Sequence, residues 1–343
     1  VKATLLVTIS LMGLLVTVPW VGASSMHSGA TDRQGSEPND VVIVVVGAAG
    51  TAEYAGQFAG WAKLWERACA KSGATFLSIG LEENPGPPDR ASIERILAEQ
   101  CQGPPATLWL VLIGHGTYDG RTARFNLRGP DLSAGDLAEW LKPLQGAVAV
   151  INTASSSAPF LKELSAPGRV IITATKSGFE QNFARFGGHL GEAVTDPGAD
   201  LDKDGQTSLL EAFLRASHAV AEFYKAAGRL ATEHALLDDN GDGLGASADW
   251  FQGVRPTGTP ADGTSLDGYR AHQLHLLRSP LENAMPPALQ ARRDELELQL
   301  VQLRDLKAKL PEQEYLSRLE PLLVEIARIY EQAERADDSP PRP

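Results

Sequence analysis

Apolar residues along this chain follow two rhythms. "VVIVVVGAAG" (41–50), "ATFLSIG" (74–80), "LWLVLIGHG" (108–116), "GAVAVINTA" (146–154) and "GRVIITATKSG" (168–178) are near-continuous apolar runs that end in small residues. Strands of a parallel sheet read this way when both faces are covered. Between the runs, apolar side chains return every three or four positions, as in Tyr54, Phe58, Trp61 and Trp65, in "RASIERILAEQC" (90–101), and in "SAGDLAEWLKPL" (133–144), where Ser133 suits an N-cap. This alternation predicts an α/β domain over 41–252, an open, mostly parallel sheet with helices on both faces. After about residue 252 the rhythm changes. "GVRPTGTPADGTSLDG" opens a Gly/Pro-rich linker (253–280), and residues 281–337 read as two helices parted by Pro311. Leu289, Leu296, Leu303 and Leu310 are seven apart, with Leu300 and Leu306 in support. Tyr315, Leu319, Leu322, Leu323, Ile326 and Ile329 line one face of the second helix. A hairpin packed on its own chain is the favoured reading, since a coiled-coil dimer needs more clean heptads. Helix-mediated self-association is the competing one.

The amino-terminal stretch "VKATLLVTISLMGLLVTVPWVGASS" changes the expected setting. An apolar run is followed by Pro19, with Val21 and Ala23 at the −3 and −1 positions that a signal peptidase prefers. Residues 1–23 are therefore expected to be a signal peptide, cut at Ala23/Ser24, and residues 24–40 a polar, disordered leader. The protein would then be secreted or periplasmic. Residues 3–23 are also long enough to remain as a membrane anchor. The formal net charge is −12, without a basic run able to track phosphates, which argues against nucleic acid and against an anionic membrane surface as partners. Cys69 and Cys101 end consecutive predicted helices, so a bridge between them is open, and neither sits where a nucleophile is expected.

Candidate chemistry lies at the strand ends. "LIGHG" puts His115 between Gly114 and Gly116 at the carboxyl end of the third strand, and "NTASSSAP" puts Ser155 at the end of the fourth. If those strands are neighbours, His115 and Ser155 form a base–nucleophile pair, with the Gly116 N–H as an oxyanion donor. With these residues the sequence resembles the caspase-like cysteine peptidases, most nearly the bacterial legumain-type members. In that family a His-Gly ends one strand, and a small residue followed by Cys-x-Ser-Gly ends the next, about forty residues later. "IGHG" matches the first element. "ASSSA" stands at the place of the second, with Ala154 as the small residue, Ser155 at the cysteine and Ala158 at the glycine. The resemblance covers roughly residues 41–250. It implies a caspase-like fold and a peptide or protein substrate, but the missing thiol implies a peptidase that has lost its chemistry. Two local alternatives remain: the serines simply satisfy a turn and cap the "PFLKEL" helix, or Ser155 serves a serine hydrolase. An α/β-hydrolase would lack the glycines of its elbow and would draw its histidine from His189, His218 or His234. A dinucleotide site would have only Gly47 and Gly50.

A second kind of chemistry follows the fifth strand. "DLDKDGQTSLLE" places Asp200, Asp202, Asp204, Gly205, the Gln206 carbonyl, Ser208 and Glu211 at positions 1, 3, 5, 6, 7, 9 and 12 of an EF-hand loop, which predicts structural calcium. Ser208 and Glu211 also fit a capping box. "DDNGDGLGASAD" repeats the pattern with Asp238, Asn240, Asp242, Gly243 and Asp249, but has Ala246 at position 9 and Asp at 12. His272 and His275 form an H-x-x-H without the glutamate of a zinc helix, and are expected to be surface residues. A non-catalytic interaction module, stapled by calcium, is the alternative to a peptidase-fold protein.

Overall fold

The apolar runs assemble side by side. In the structure, a computed structural model that describes residues 39–82, 86–257 and 266–337, the elements in order are β1 (Val41–Val46), α1 (Ala52–Ser72), β2 (Thr75–Ile79), α2 (Asp89–Gln100), β3 (Thr107–Ile113), β4 (Gly116–Tyr118), β5 (Ala123–Phe125), β6 (Leu132–Ser133), α3 (Ala134–Leu141), β7 (Ala147–Asn152), α4 (Ala158–Leu164), β8 (Arg169–Thr173), α5 (Phe186–Ala193), α6 (Leu209–Ala226) and β9 (Leu236–Asp238). The main sheet has the order β2-β1-β3-β7-β8-β9. All pairings are parallel except β8 with β9. The chain is thus a mixed α/β protein with a mostly parallel central sheet. The readings of residues 1–23 and 24–40 fall outside the described residues, Asn39 and Asp40 excepted.

Alternation within each strand explains why the runs are apolar throughout. Val42, Val44, Trp109, Val111, Ala149 and Ile151 face one side, where α1, α5 and α6 pack with Phe58, Trp65, Leu190 and Phe213. Ile43, Val45, Leu110, Leu112 and Val150 face the other, under α2, α3 and α4 with Ile93, Leu137 and Phe160. Each fully buried Leu, Ile, Val or Phe contributes roughly 1.5–3 kcal/mol, so neither face tolerates a polar register. Ser133 caps α3 as expected, in a reciprocal box with Asp136. Cys69 and Cys101 do not bridge: both are free, Cys69 packing on the α1 face of the sheet and Cys101 on the α2 face.

Residues 253–257 and 266–280, within the stretch expected to be a linker, are part of the fold. β10 (Phe251–Gln252) and β11 (Arg255–Pro256) pair as a short hairpin, and α7 (Tyr269–Gln273) follows. Ala271 and Leu276 are buried in the core under α6, joined by Leu274 and Leu277. Arg278 donates to both carboxylate oxygens of Asp40, at 3.2 and 3.0 Å, tying this strap to the residue before β1. The tail then forms α8 (Pro280–Ala284), α9 (Pro287–Asp305) and α10 (Glu312–Asp337). α9 and α10 pack on each other and on α8 through Met285, Leu296, Ile329 and Ala333. Buried Arg293 bonds Glu282 bidentately at 2.5 and 2.7 Å. Leu323, expected on the packed face, is exposed.

Candidate active site and cation loops

Because β3 and β7 are parallel neighbours, with Leu112 opposite Asn152, their carboxyl ends emerge together. The structure brings His115-Gly116 and Ala154-Ser155 to that common edge. Contact there is close: a Cβ on residue 116 would lie 2.2 Å from the Ser155 carbonyl oxygen, so only glycine fits. The Gly116 N–H donates to Ser155 Oγ (3.3 Å), and that hydroxyl donates back to the Gly116 carbonyl (3.2 Å). The N–H expected to stabilise an oxyanion is therefore engaged by the serine itself.

His115 is held elsewhere. Its Nε2 lies 3.3 Å from the Ala49 carbonyl. A carbonyl can only accept, so Nε2 carries the proton in this contact and Nδ1 is left as the basic nitrogen. The ring packs against the edges of Tyr54 and Phe58, with centroids 4.7 and 5.1 Å away, and against Phe183 at 6.1 Å. No hydrogen bond joins His115 to Ser155. A main-chain carbonyl, not a carboxylate, orients this imidazole. Backbone atoms leave no trace in a residue pattern, and Ala49 could have been found only from its place in the β1–α1 turn.

The other serines have structural work. Ser156 is fully buried at φ 56°, an uncommon conformation for a non-glycine residue. Its N–H donates to the Glu180 carbonyl (2.8 Å), while its hydroxyl is buried without a hydrogen-bond partner. Ser157 does not cap α4 with its own side chain; it contacts Thr175 Oγ1 (3.1 Å), which accepts the Ala158 N–H instead. The loop after β8 therefore closes over the serine turn. His234 Nδ1 meets Glu180 Oε1 at 2.5 Å on that loop, and His189 lies near Glu192. His218 lines a cavity of about 450 Å³ with Phe186, Glu233 and His234. None of the three histidines bonds Ser155.

The 200–211 loop folds around its own carboxylates. Asp200 accepts the N–H groups of Lys203 (2.7 Å) and Gly205 (3.2 Å), Asp202 that of Asp204, and Asp204 that of Gln206. Lys203 and Gly205 both take positive φ, which turns the chain back on itself. Glu211 is buried; Oε1 accepts from Leu201 and Asp202, and Oε2 from Ser208, so the capping box is present as well. One carboxylate oxygen from each of Asp200, Asp202 and Asp204 can fall within 4.8 Å of the others. These oxygens are the hard donors that calcium takes.

The 238–249 loop has the same backbone bonds: Asp238 accepts from Gly241 and Gly243, Asn240 from Asp242, and Asp242 from Leu244. Its last position differs. Asp249 lies exposed in a separate turn, and among the described residues this loop gathers no group of three acidic, histidine or cysteine donors. Instead Asp239 turns inward and accepts the N–H groups of Gly268 (2.9 Å) and Ala271 (2.8 Å), while Asp267 accepts those of Asp239 and Asn240. Burial pushes the Asp239 carboxyl up to about 6 and the Asp267 carboxyl up to about 8. This pair locks the strap onto the loop, a role that sequence spacing did not signal. His275 also departs from expectation: it is 9% exposed, and burial pushes its imidazole below the usual range.

No protein-family model matches the sequence, and no curated protein matches it. Solved structures similar to the chain include caspase-1 from Spodoptera frugiperda, at 9% identity over 59% of this chain and 87% of that one, with a TM-score of 0.39. The Drosophila initiator caspase Dronc is similar at 14% identity over 66% of this chain and 91% of that one, with the same TM-score of 0.39. At this degree of overlap neither likeness carries an argument about what the chain does.

Proposed function

We propose that this chain is an exported protein of caspase-like, legumain-type peptidase architecture, degenerate as a thiol peptidase, that binds peptides at the β3–β7 edge and calcium in the 200–211 loop. One observation carries the reading. At adjoining strand ends His115 is oriented through Nε2 by the Ala49 carbonyl, while the Ser155 hydroxyl is bonded to the main chain of Gly116. The scaffold of a base and a nucleophile is retained, but the nucleophile is a hydroxyl of high pKa that is not bonded to the base. A thiol ionises readily near neutrality; a serine needs a positioned base within reach. Export is supported by the apolar run and small residues of 1–23. Calcium is supported by the donor spacing and the clustered oxygens of Asp200, Asp202 and Asp204.

The test restores the thiol. Ser155→Cys is expected to react with a peptidyl electrophile, read by peptide mass at residue 155, and the reaction is expected to slow when His115→Ala is added. Thiol-directed inhibitors are expected to leave native Ser155 unmodified. Peptide cleavage by the native protein that disappears in Ser155→Ala would establish a serine peptidase instead. A folded Ser155→Cys protein that stays inert would leave a non-catalytic interaction module as the reading.

A further inference from the structure

The 200–211 loop is not completed by oxygen donors alone. His272, on α7 and 70 residues downstream of Asp202, brings its Nε2 to 2.9 Å from Asp202 Oδ2. One donor atom each from Asp202, Glu211 and His272 lie within 4.8 Å of one another, so Asp202 belongs both to this group and to the all-carboxylate group with Asp200 and Asp204. α7 is fixed in this position. The Leu209 N–H at the start of α6 donates to the Leu274 carbonyl (2.8 Å), Ser279 N–H donates to Gln206 Oε1 (2.8 Å), and Ala271 is fully buried.

A second histidine lies on the same strap. His275 is 9% exposed and its Nε2 is buried without a hydrogen-bond partner. A buried imidazole nitrogen with nothing to bond is costly.

Calcium prefers all-oxygen surroundings, whereas imidazole nitrogen suits zinc and other first-row dications. We propose that Asp202, Glu211 and His272 form a mixed nitrogen–oxygen site for a first-row transition-metal dication between the 200–211 loop and α7. The inference rests on the reading of that loop as a cation site, but not on the cation being calcium. Such a site would join α6 to the strap through one ion, because His272 is the donor that does not come from the loop.

The experiment uses chelator-stripped full-length protein, titrated separately with Co²⁺, Zn²⁺ and Ca²⁺. Co²⁺ is expected to give a visible ligand-field band that Zn²⁺ abolishes by competition. His272→Ala is expected to remove the band and weaken Zn²⁺ by at least about tenfold, since loss of even an outer partner commonly costs that much. Ca²⁺ affinity in His272→Ala is expected to stay within about twofold, because carboxylates and carbonyls suffice for it. Transition-metal affinity unchanged in His272→Ala, with Ca²⁺ still bound, would overturn this inference and leave the calcium reading intact. Co²⁺ and Zn²⁺ bound through His272 without Ca²⁺ binding would do the reverse. Native protein that binds none of the three overturns both.

Discussion

At the residue scale, two buried carboxyls make a measurable claim. Asp239 and Asp267 accept main-chain N–H groups across the join between the second acidic loop and the strap. Burial raises both folded-state values above the ordinary carboxylate range, Asp267 to about 8. The folded state therefore holds protons that the unfolded chain releases above about pH 4. The stability this pair contributes is full below that point and is lost as pH rises through about 8. In the presence of chelator, the melting temperature is expected to fall between pH 5 and pH 9. Asp267→Asn, which keeps an acceptor oxygen but cannot ionise, is expected to flatten that fall and raise the melting temperature at pH 9. A native protein whose stability climbs over this range would refute the assignment. The thiols offer a simpler check: the Cys69 thiol is pushed up to about 12 by burial and is expected to resist alkylation until the protein unfolds. Reduction is expected to leave stability unchanged, since Cys69 and Cys101 lie on opposite faces of the sheet.

At the element scale, what could be read from the sequence follows how each segment is buried. Strands covered on both faces must be apolar at every position, so β1, β3, β7 and β8 stand out as runs, and their order of appearance already suggested that the strand ends bearing His115 and Ser155 would adjoin. The strap is harder to see. Its anchors Asp267, Ala271 and Leu276 are scattered through a Gly/Pro-rich stretch and bond chiefly to main-chain groups or pack one at a time. The candidate site divides the same way: residue types gave His115, Gly116 and Ser155, but not the Ala49 carbonyl or the mutual bond of Gly116 and Ser155. In the tail, heptad spacing found the helices without saying what they cover. Leu296, fully buried against Met285, Ile329 and Ala333, answers that. Leu296→Ala is expected to cost about 2–5 kcal/mol in the hairpin, the usual range for a buried leucine. Hydrogen exchange should report it as faster exchange in α9 and α10, with the mass in solution unchanged. A native dimer that separates on Leu323→Glu would instead favour self-association through the exposed side of α10.

At the scale of the whole molecule, the 200–211 loop lies between α6 and the strap, so a cation bound there would stabilise more than the loop itself. A ligand held only by the folded state at a hundred times its dissociation constant adds about 2.7 kcal/mol. Removing bound calcium with chelator is expected to lower the melting temperature, and Asp204→Ala is expected to abolish that response. The ion pair of Asp40 and Arg278 has a different consequence. Residues 266–337 are fastened to residues 39–257 by side chains: Arg278 on Asp40, Asp267 on the main chain of Asp239, and Leu276 in the core. Covalent continuity between those halves is therefore dispensable once the protein has folded. A protease that cuts between residues 258 and 265 is expected to yield two fragments that run apart in denaturant yet elute together, as one body, from a native sizing column. The fragments should separate when Arg278→Ala and Asp267→Ala are combined with the cut, so that a protein with one chain could persist as a protein with two.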